Sequence, residues 1–255
     1  MKNKQQSSIY KILVTILSVC ILFLAWEIVA RIIDKPAFIP TFSNTANALL
    51  SLVKTWNFWK TVFSSLYRIF IGLSAGVILG VLTAVICAKI PILSTLISAV
   101  MGVIKATPVA SIIIIIWILV GSVNVPTAIA LLMVCPIIWQ ATNEGINSHR
   151  KDMDEVAEVF QLSLKKRIRY ILIPRVVKIF IPALLTSVGL AWKSGIAAEI
   201  ISVTKDSIGY YIKTNKDSFD AEYMFAWTGA VVLISLLFEV AIKMIARRIN
   251  GNNED

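Results

Sequence analysis

"DEVAEVFQLSLKKRIRYILIP", residues 154–174, lies between two long apolar stretches and is the most highly charged part of the chain. Acidic residues gather at its front (Asp152, Asp154, Glu155 and Glu158), where the positive end of a helix dipole favours them. Lys165, Lys166, Arg167 and Arg169 follow. Val156, Val159, Phe160, Leu164, Ile168, Ile171 and Leu172 recur at spacings of three and four, which makes one apolar stripe. The pattern predicts an amphipathic helix over 152–172, with Pro174 either stopping it or opening the next helix. Such a helix can lie on the inner membrane surface or dock against a cytoplasmic protein, and periodicity alone does not choose between them.

The surroundings of this stretch are those of a membrane protein. Of 255 residues, 57% are hydrophobic and 16% charged, and the mean hydropathy is +0.79. Soluble domains run to about 25% charged residues. Six apolar spans are predicted, at roughly 10–33, 61–88, 92–120, 125–146, 176–202 and 222–246. About 20 helical residues cross a hydrocarbon core of roughly 30 Å, so the longer spans must tilt or project. The first apolar run is longer than a signal-peptide core and has no convincing small-x-small cleavage site, so it reads as an uncleaved helix.

Net charge is +10. In a soluble chain this would suggest nucleic acid; here the positive-inside rule accounts for it. With the N-terminus inside, 15 of the 25 basic residues fall in cytoplasmic segments and 7 outside, while Arg68, Lys105 and Lys193 lie within spans. That bias predicts both termini in the cytoplasm, together with the opening stretch. Cys20, Cys87 and Cys135 all sit in apolar segments without CxxC spacing and read as packing residues. The organisation expected is a tail and first helix at 1–33, an outer segment at 34–60, a five-helix core at 61–248 containing the cytoplasmic loop 147–175, and a tail at 249–255.

The order of residues in the charged stretch is more specific than its periodicity. Glu155-Val156-Ala157, three residues, Gln161, nine residues, then Ile171-Leu172-Ile173-Pro174 resembles the EAA loop of binding-protein-dependent ABC transporter permeases. Glu155, Ala157, Ile171 and Pro174 match that pattern; Val156 and Ile173 are mild departures. Gln161 stands where the family has a glycine, which permits a sharp turn between two short helices. With glutamine, either the turn is less sharp or the residue tolerates an unusual backbone. Further stretches resemble the nitrate/sulfonate/taurine-type importers in order along the chain: "LAWEIVARI" (24–32), "SLYRIFIGLSAGVILG" (65–80), "IKATPVASI" (104–112), "GLAWKSGIAAEII" (189–201) and "SIGYYI" (207–212).

The resemblance implies an all-α, six-helix permease of the type I ABC importer architecture in a bacterial plasma membrane. It implies a second permease copy, a cytoplasmic ATPase dimer that holds the ATP and magnesium, and an extracytoplasmic solute-binding protein. No cofactor is expected on this chain, which has no G-x-x-x-x-G-K-[ST] phosphate cradle. Glu155 would orient the loop against the ATPase, with Val156, Ala157, Val159 and Phe160 filling its groove. The solute expected is small and anionic; the family's range includes alkanesulfonates, taurine, nitrate, bicarbonate and pyrimidines.

Charged and polar residues inside spans are the pathway candidates. Lys193 sits within the fifth span, where a charge costs roughly 2.5–3.5 kcal/mol on insertion scales and usually faces a cavity or partner. It either contacts an anionic solute or pairs within the bundle. Ser194 is its neighbour, and Glu199 lies about 240° further round the helix, at a position where the family has a glutamate. Lys105, Thr107 and Pro108 form a second cluster, in which Pro108 interrupts the third span and leaves backbone groups to be satisfied by protein or a watery cavity. Arg68 is expected to bond to a neighbouring helix and Glu27 to be structural. Gly72, Gly76 and Gly80 recur every four residues and predict close helix packing.

Other function classes fit less well. A Ser-Lys hydrolase would need Lys193 to activate Ser194, yet adjacent helical residues point about 100° apart. G-x-S-x-G and H-E-x-x-H are absent from the sequence, and the single histidine, His149, has no ligand set around it. A secondary transporter or channel needs no docking loop. An ABC permease working in export remains compatible with the residues.

Overall fold

The computed structural model describes residues 2–148, 157 and 159–251. Its elements are α1 (Lys2–Ile33), α2 (Phe42–Val53), α3 (Trp56–Lys89), α4 (Pro91–Ala106), α5 (Val109–Val120), α6 (Val125–Asn147), α7 (Leu164–Arg167), a π-helical stretch (Ile168–Leu172), α8 (Ile173–Ser202), α9 (Ile208–Asp217) and α10 (Ala221–Gly251). Among the described residues there is no strand. Five segments are long and apolar enough to cross a membrane, and α4 with α5 would make a sixth.

The span expected over 92–120, interrupted at Pro108, is this bent pair. The α4 and α5 axes meet at 105°. The cause is local. Proline drives its predecessor out of the α region, and Thr107 and Pro108 are both extended, with ψ of 132° and 127°. On either side of the break the helix ends are capped: Thr107 N–H and Oγ1 both donate to the Val103 carbonyl, and the Pro108 carbonyl accepts from Ser111 and Ile112. The segments between crossings carry helices of their own: α2 lies within 34–60 and α9 follows the fifth span.

The chain forms two compact units. The first comprises Met1–Trp59 and Tyr211–Val232. Here Glu27 accepts from Arg31 Nε and from the Phe42 amide, each at 2.9 Å. It thus supplies negative charge to the start of α2, whose N-cap is Thr41. Trp227 is sandwiched by Phe58 and Tyr211, with ring centroids 5.1 and 5.0 Å away.

The second unit comprises Lys60–Tyr210 and Leu233–Asp255. Its centre is a glycine seam. A Cβ at Gly72 would stand 2.2 Å from the Thr127 carbonyl oxygen, and those at Gly76 and Gly80 would stand 2.9 Å from the carbonyls of Leu131 and Cys135. The four-residue rise of α3 therefore tracks that of α6 with backbone against side chain. Ile113, Val125, Ile129, Met133 and Ala198 join α5, α6 and α8 in one buried cluster. Ile104 of α4 packs on this cluster and on a second one containing Ala84, Met101, Cys135 and Trp139.

A polar knot closes the same unit where α8 ends. Glu199 is wholly buried. Its Oε2 accepts from Ser65 Oγ of α3 at 2.9 Å and from the Gly209 amide of α9 at 3.1 Å. Ser65 Oγ accepts in turn from Ile208 N–H at 3.0 Å. Val203 is left-handed (φ 50°), and Thr204 N–H reaches back to the Glu199 carbonyl at 3.1 Å, a Schellman ending to α8. Thr204 Oγ1 donates to the Ser122 carbonyl at 2.7 Å, and Ser207 Oγ caps α9 through Tyr210 N–H. Gly209 is required here, because a Cβ would lie 2.4 Å from that of Glu199.

Two stability predictions follow from these contacts. Gly72→Ala should lose about 1–3 kcal/mol through overpacking. Gly102→Ala, at a position with nothing within 4 Å, should be neutral or slightly stabilising; thermal unfolding in detergent measures both. By the same assay Glu199→Ala should cost about 1–3 kcal/mol, because Ser65 and the Gly209 amide lose a buried acceptor, and Glu199→Gln, which keeps a carbonyl oxygen, should cost less.

Candidate functional site

The charged loop contains a turn that its periodicity did not announce. Glu155 and Val156 lie outside the described residues. Residues 157 and 159 are helical, and the helix ends at a turn over 160–161. Gln161 is left-handed, with φ 47°, and Leu162 N–H donates to the Ala157 carbonyl five residues back at 3.0 Å. This is the Schellman geometry that glycine ordinarily serves. A non-glycine residue pays about 1–2 kcal/mol to adopt it. The glutamine therefore takes the unusual backbone and keeps the sharp turn.

The single amphipathic helix expected over 152–172 is thus two pieces. The apolar spacing of three and four continued across the break, so periodicity could not reveal it; Ser163, extended at ψ 151° just before α7, was the available N-cap signal. Beyond it the chain is helical without interruption from Leu164 to Ser202, so the helix that carries the fifth span begins well before residue 176. Pro174 stands in the first turn of α8, the place at which a proline opens a helix, and does not interrupt the helical course. It cannot donate to Tyr170, and the preceding turns widen to the π form, with Ile173 N–H bonded to the Ile168 carbonyl.

The turn leaves two large apolar side chains bare. Val159 is 79% and Phe160 72% exposed, whereas Ala157 is 1% exposed. Ala157 therefore packs inside its own chain, and Val159 and Phe160 are the residues the loop offers outward. On the α7 side Leu164 is also exposed, with Lys165, Lys166 and Arg169 beside it. The chemistry is that of a projecting apolar tip with a cationic flank, suited to a complementary groove.

The intramembrane candidates do not form one cluster. Lys193 is exposed while Trp192, Ser194, Gly195 and Ile196 around it are buried. Ser194 Oγ donates to the carbonyls of Leu190 and Ala191, at 2.8 and 3.3 Å. Lysine and serine therefore face apart, and no Lys-Ser dyad exists. Glu199 is the clamp of the polar knot. Lys105 Nζ donates to Gln140 Oε1 of α6, and Thr107 and Pro108 form the α4–α5 break. Arg68 bonds to the neighbouring helix α6 through its carbonyl, which accepts from Thr127 Oγ1 at 3.0 Å, while its guanidinium donates to the loop carbonyls of Lys205 and Asp206 at 3.3 Å each.

Sequence reasoning missed Ser65, Gly209 and Glu239. Ser207, directly before a helical run, carried a readable N-cap signal. The partnership of Ser65 with Glu199 spans 134 positions and has no local signature.

Comparison with known proteins agrees with this architecture. The family model for the binding-protein-dependent transport system inner membrane component matches residues 76–251. The taurine transport system permease protein TauC of Escherichia coli is 20% identical over 240 residues, which cover 91% of this chain and 86% of that protein. The bicarbonate transport system permease protein CmpB of a Synechocystis species is 29% identical over 187 residues, 69% of this chain and 64% of that one. In fold, the chain is similar to a bacterial alginate ABC transporter solved with an alginate pentasaccharide-bound periplasmic protein, with a TM-score of 0.62, 14% identity and 96% of each chain covered. With its helices, its glycine-packed core and its loop between the fourth and fifth spans so arranged, the chain belongs to the family of binding-protein-dependent transport system inner membrane components, the multi-pass permeases of ABC importers in the bacterial plasma membrane.

Proposed function

We propose that this permease subunit receives its driving force through the turn at 157–161, from a cytoplasmic ATPase that carries the ATP and magnesium. Two copies of the chain form the membrane path, and an extracytoplasmic solute-binding protein delivers a small anionic solute to it. No cofactor resides on the chain itself. The observation that carries the reading is the exposed Val159–Phe160 tip, held on a Schellman turn at the start of an unbroken helix from Leu164 to Ser202. A helix of 39 residues spans nearly 60 Å at 1.5 Å per residue, so displacement of the tip is transmitted along a single rigid rod.

The concentration of basic residues in segment 147–175 supports its cytoplasmic location, and with it both termini inside. Glu155, just upstream of the turn, would orient the loop in the ATPase groove, with Val156 beside the tip. Lys193 supports an anionic solute, because it is an exposed cation within a span. Most of the solute selection belongs to the binding protein.

Phe160→Ala should weaken co-purification of the cognate ATPase with the permease at least about tenfold, as removal of an aromatic anchor does; undiminished assembly would refute the docking role. Gln161→Gly relieves the left-handed strain of about 1 kcal/mol and should preserve or raise binding-protein-stimulated ATP hydrolysis. Gln161→Val, β-branched and unsuited to positive φ, should lower it. Equal hydrolysis by the glycine and valine variants in reconstituted vesicles would show that the turn geometry is irrelevant to coupling.

A further inference from the structure

An exposed lysine faces away from its own chain within the fifth span. Lys193 stands nine residues before the end of α8 at Ser202, about 13 Å along the helix axis, further than a lysine side chain extends toward that end. The face it occupies is not a lipid face by composition. Pro182, Thr186, Gly189 and Lys193 fall within about 60° of arc at 100° per residue. Pro182, Thr186 and Lys193 are exposed, and Gly189 has nothing within 4 Å of where a Cβ would be. The opposite face is the packed one, carrying Ser187, Ala191, Ser194, Ala198 and Ser202. A proline, a hydroxyl, a bare backbone and an ammonium in line make a wettable strip about 16 Å long.

The charge on this strip is not cancelled. Glu239 of α10 lies within electrostatic reach of Lys193, brought close where Trp192 and Phe238 meet edge to face at 5.5 Å. Glu239 is itself bonded to Lys243, one turn further on, at 2.6 Å. Three charges thus share this place, two of them cations, and the acid is already engaged by the lysine that does not lie on α8. Lys193 keeps three ammonium donors with no hydrogen bond to any described residue. An intramembrane cation in this condition requires water or an anion against it.

We infer that the α8 face from Pro182 to Lys193 is a water-lined stretch of the solute path, that Lys193 is its anion-binding group, and that Glu239 sets how positive that group is. The class of solute it takes is a small anion whose oxygens accept from an ammonium, such as a sulfonate, nitrate or bicarbonate. The inference rests on the permease reading above and adds which helix face carries the solute and which acid tunes it.

The test needs no knowledge of the solute. In the assembled transporter, with exposed Cys20 replaced by serine, single Thr186→Cys, Gly189→Cys and Lys193→Cys variants are treated with membrane-impermeant methanethiosulfonates, one bearing a sulfonate and one a trimethylammonium group. Leu237→Cys, on the apolar exposed face of α10, is the lipid-facing control. The three α8 positions are expected to react at least tenfold faster than Leu237→Cys. At Gly189→Cys the sulfonate reagent should outpace the cationic one severalfold. That ratio should fall toward one when Lys193→Gln is added and rise when Glu239→Gln is added. Rates as slow as the control would mean that lipid or a second copy seals this face, and would overturn the inference, as would a charge ratio indifferent to Lys193→Gln. ATPase co-purification, followed in the same variants, is expected to stay normal; its loss alongside the expected labelling would count against the coupling reading and leave this one standing.

Discussion

The carboxylate of Glu199 is buried at the point where the chain leaves its longest helix, and the arrangement of the second unit depends on how that burial is satisfied. A carboxylate removed from water must be hydrogen-bonded. Here Oε2 takes both donors, a serine from α3 and a backbone amide from α9, which ties three helices together, while Oε1 has no partner among the described residues. The left-handed Val203, the exclusion of a side chain at Gly209 and the carbonyls held by Arg68 are consequences of drawing the loop over one acid. With that end pinned, α8 has a defined register against α3 and α6.

Register matters because α8 has different chemistry on its two sides and at its two ends. One side is packed through Ser187, Ala191, Ser194 and Ala198, and the other carries Lys193 in the open. The end opposite Glu199 continues through the π stretch and α7 to the Gln161 turn. The seam of Gly72, Gly76 and Gly80 against α6 holds the surrounding helices close enough for small residues to suffice. A long helix with one end pinned, a packed back and a projecting tip at the other end is suited to convert a push at the tip into rotation of its open face.

Much of this was legible before any coordinates. Apolar length predicted the crossings, the i, i+4 glycines predicted close packing, and the order Glu155 to Pro174 predicted the family. Other features were misread for identifiable reasons. The stripe from Val156 to Leu172 kept its phase across a two-piece loop, so periodicity could not show the break. Pro108 marks in the sequence where the third span is interrupted, without giving the angle at which the halves resume. Ser194 was grouped with Lys193 by adjacency, although neighbours on a helix face different surroundings.

The sequence by itself determined that this is a multi-pass membrane protein, and which family's loop it carries, because bilayer thickness and side-chain hydrophobicity act on local stretches of chain. It also determined that Gln161 occupies a glycine's place. Only the tertiary structure decided that the glutamine adopts the glycine's backbone, that Glu199 bonds across 134 positions to Ser65, and that Lys193 faces outward while its neighbours are buried. Those outcomes rest on which distant groups meet, and the energy of a buried polar contact or of a strained turn is set by the partners that surround it.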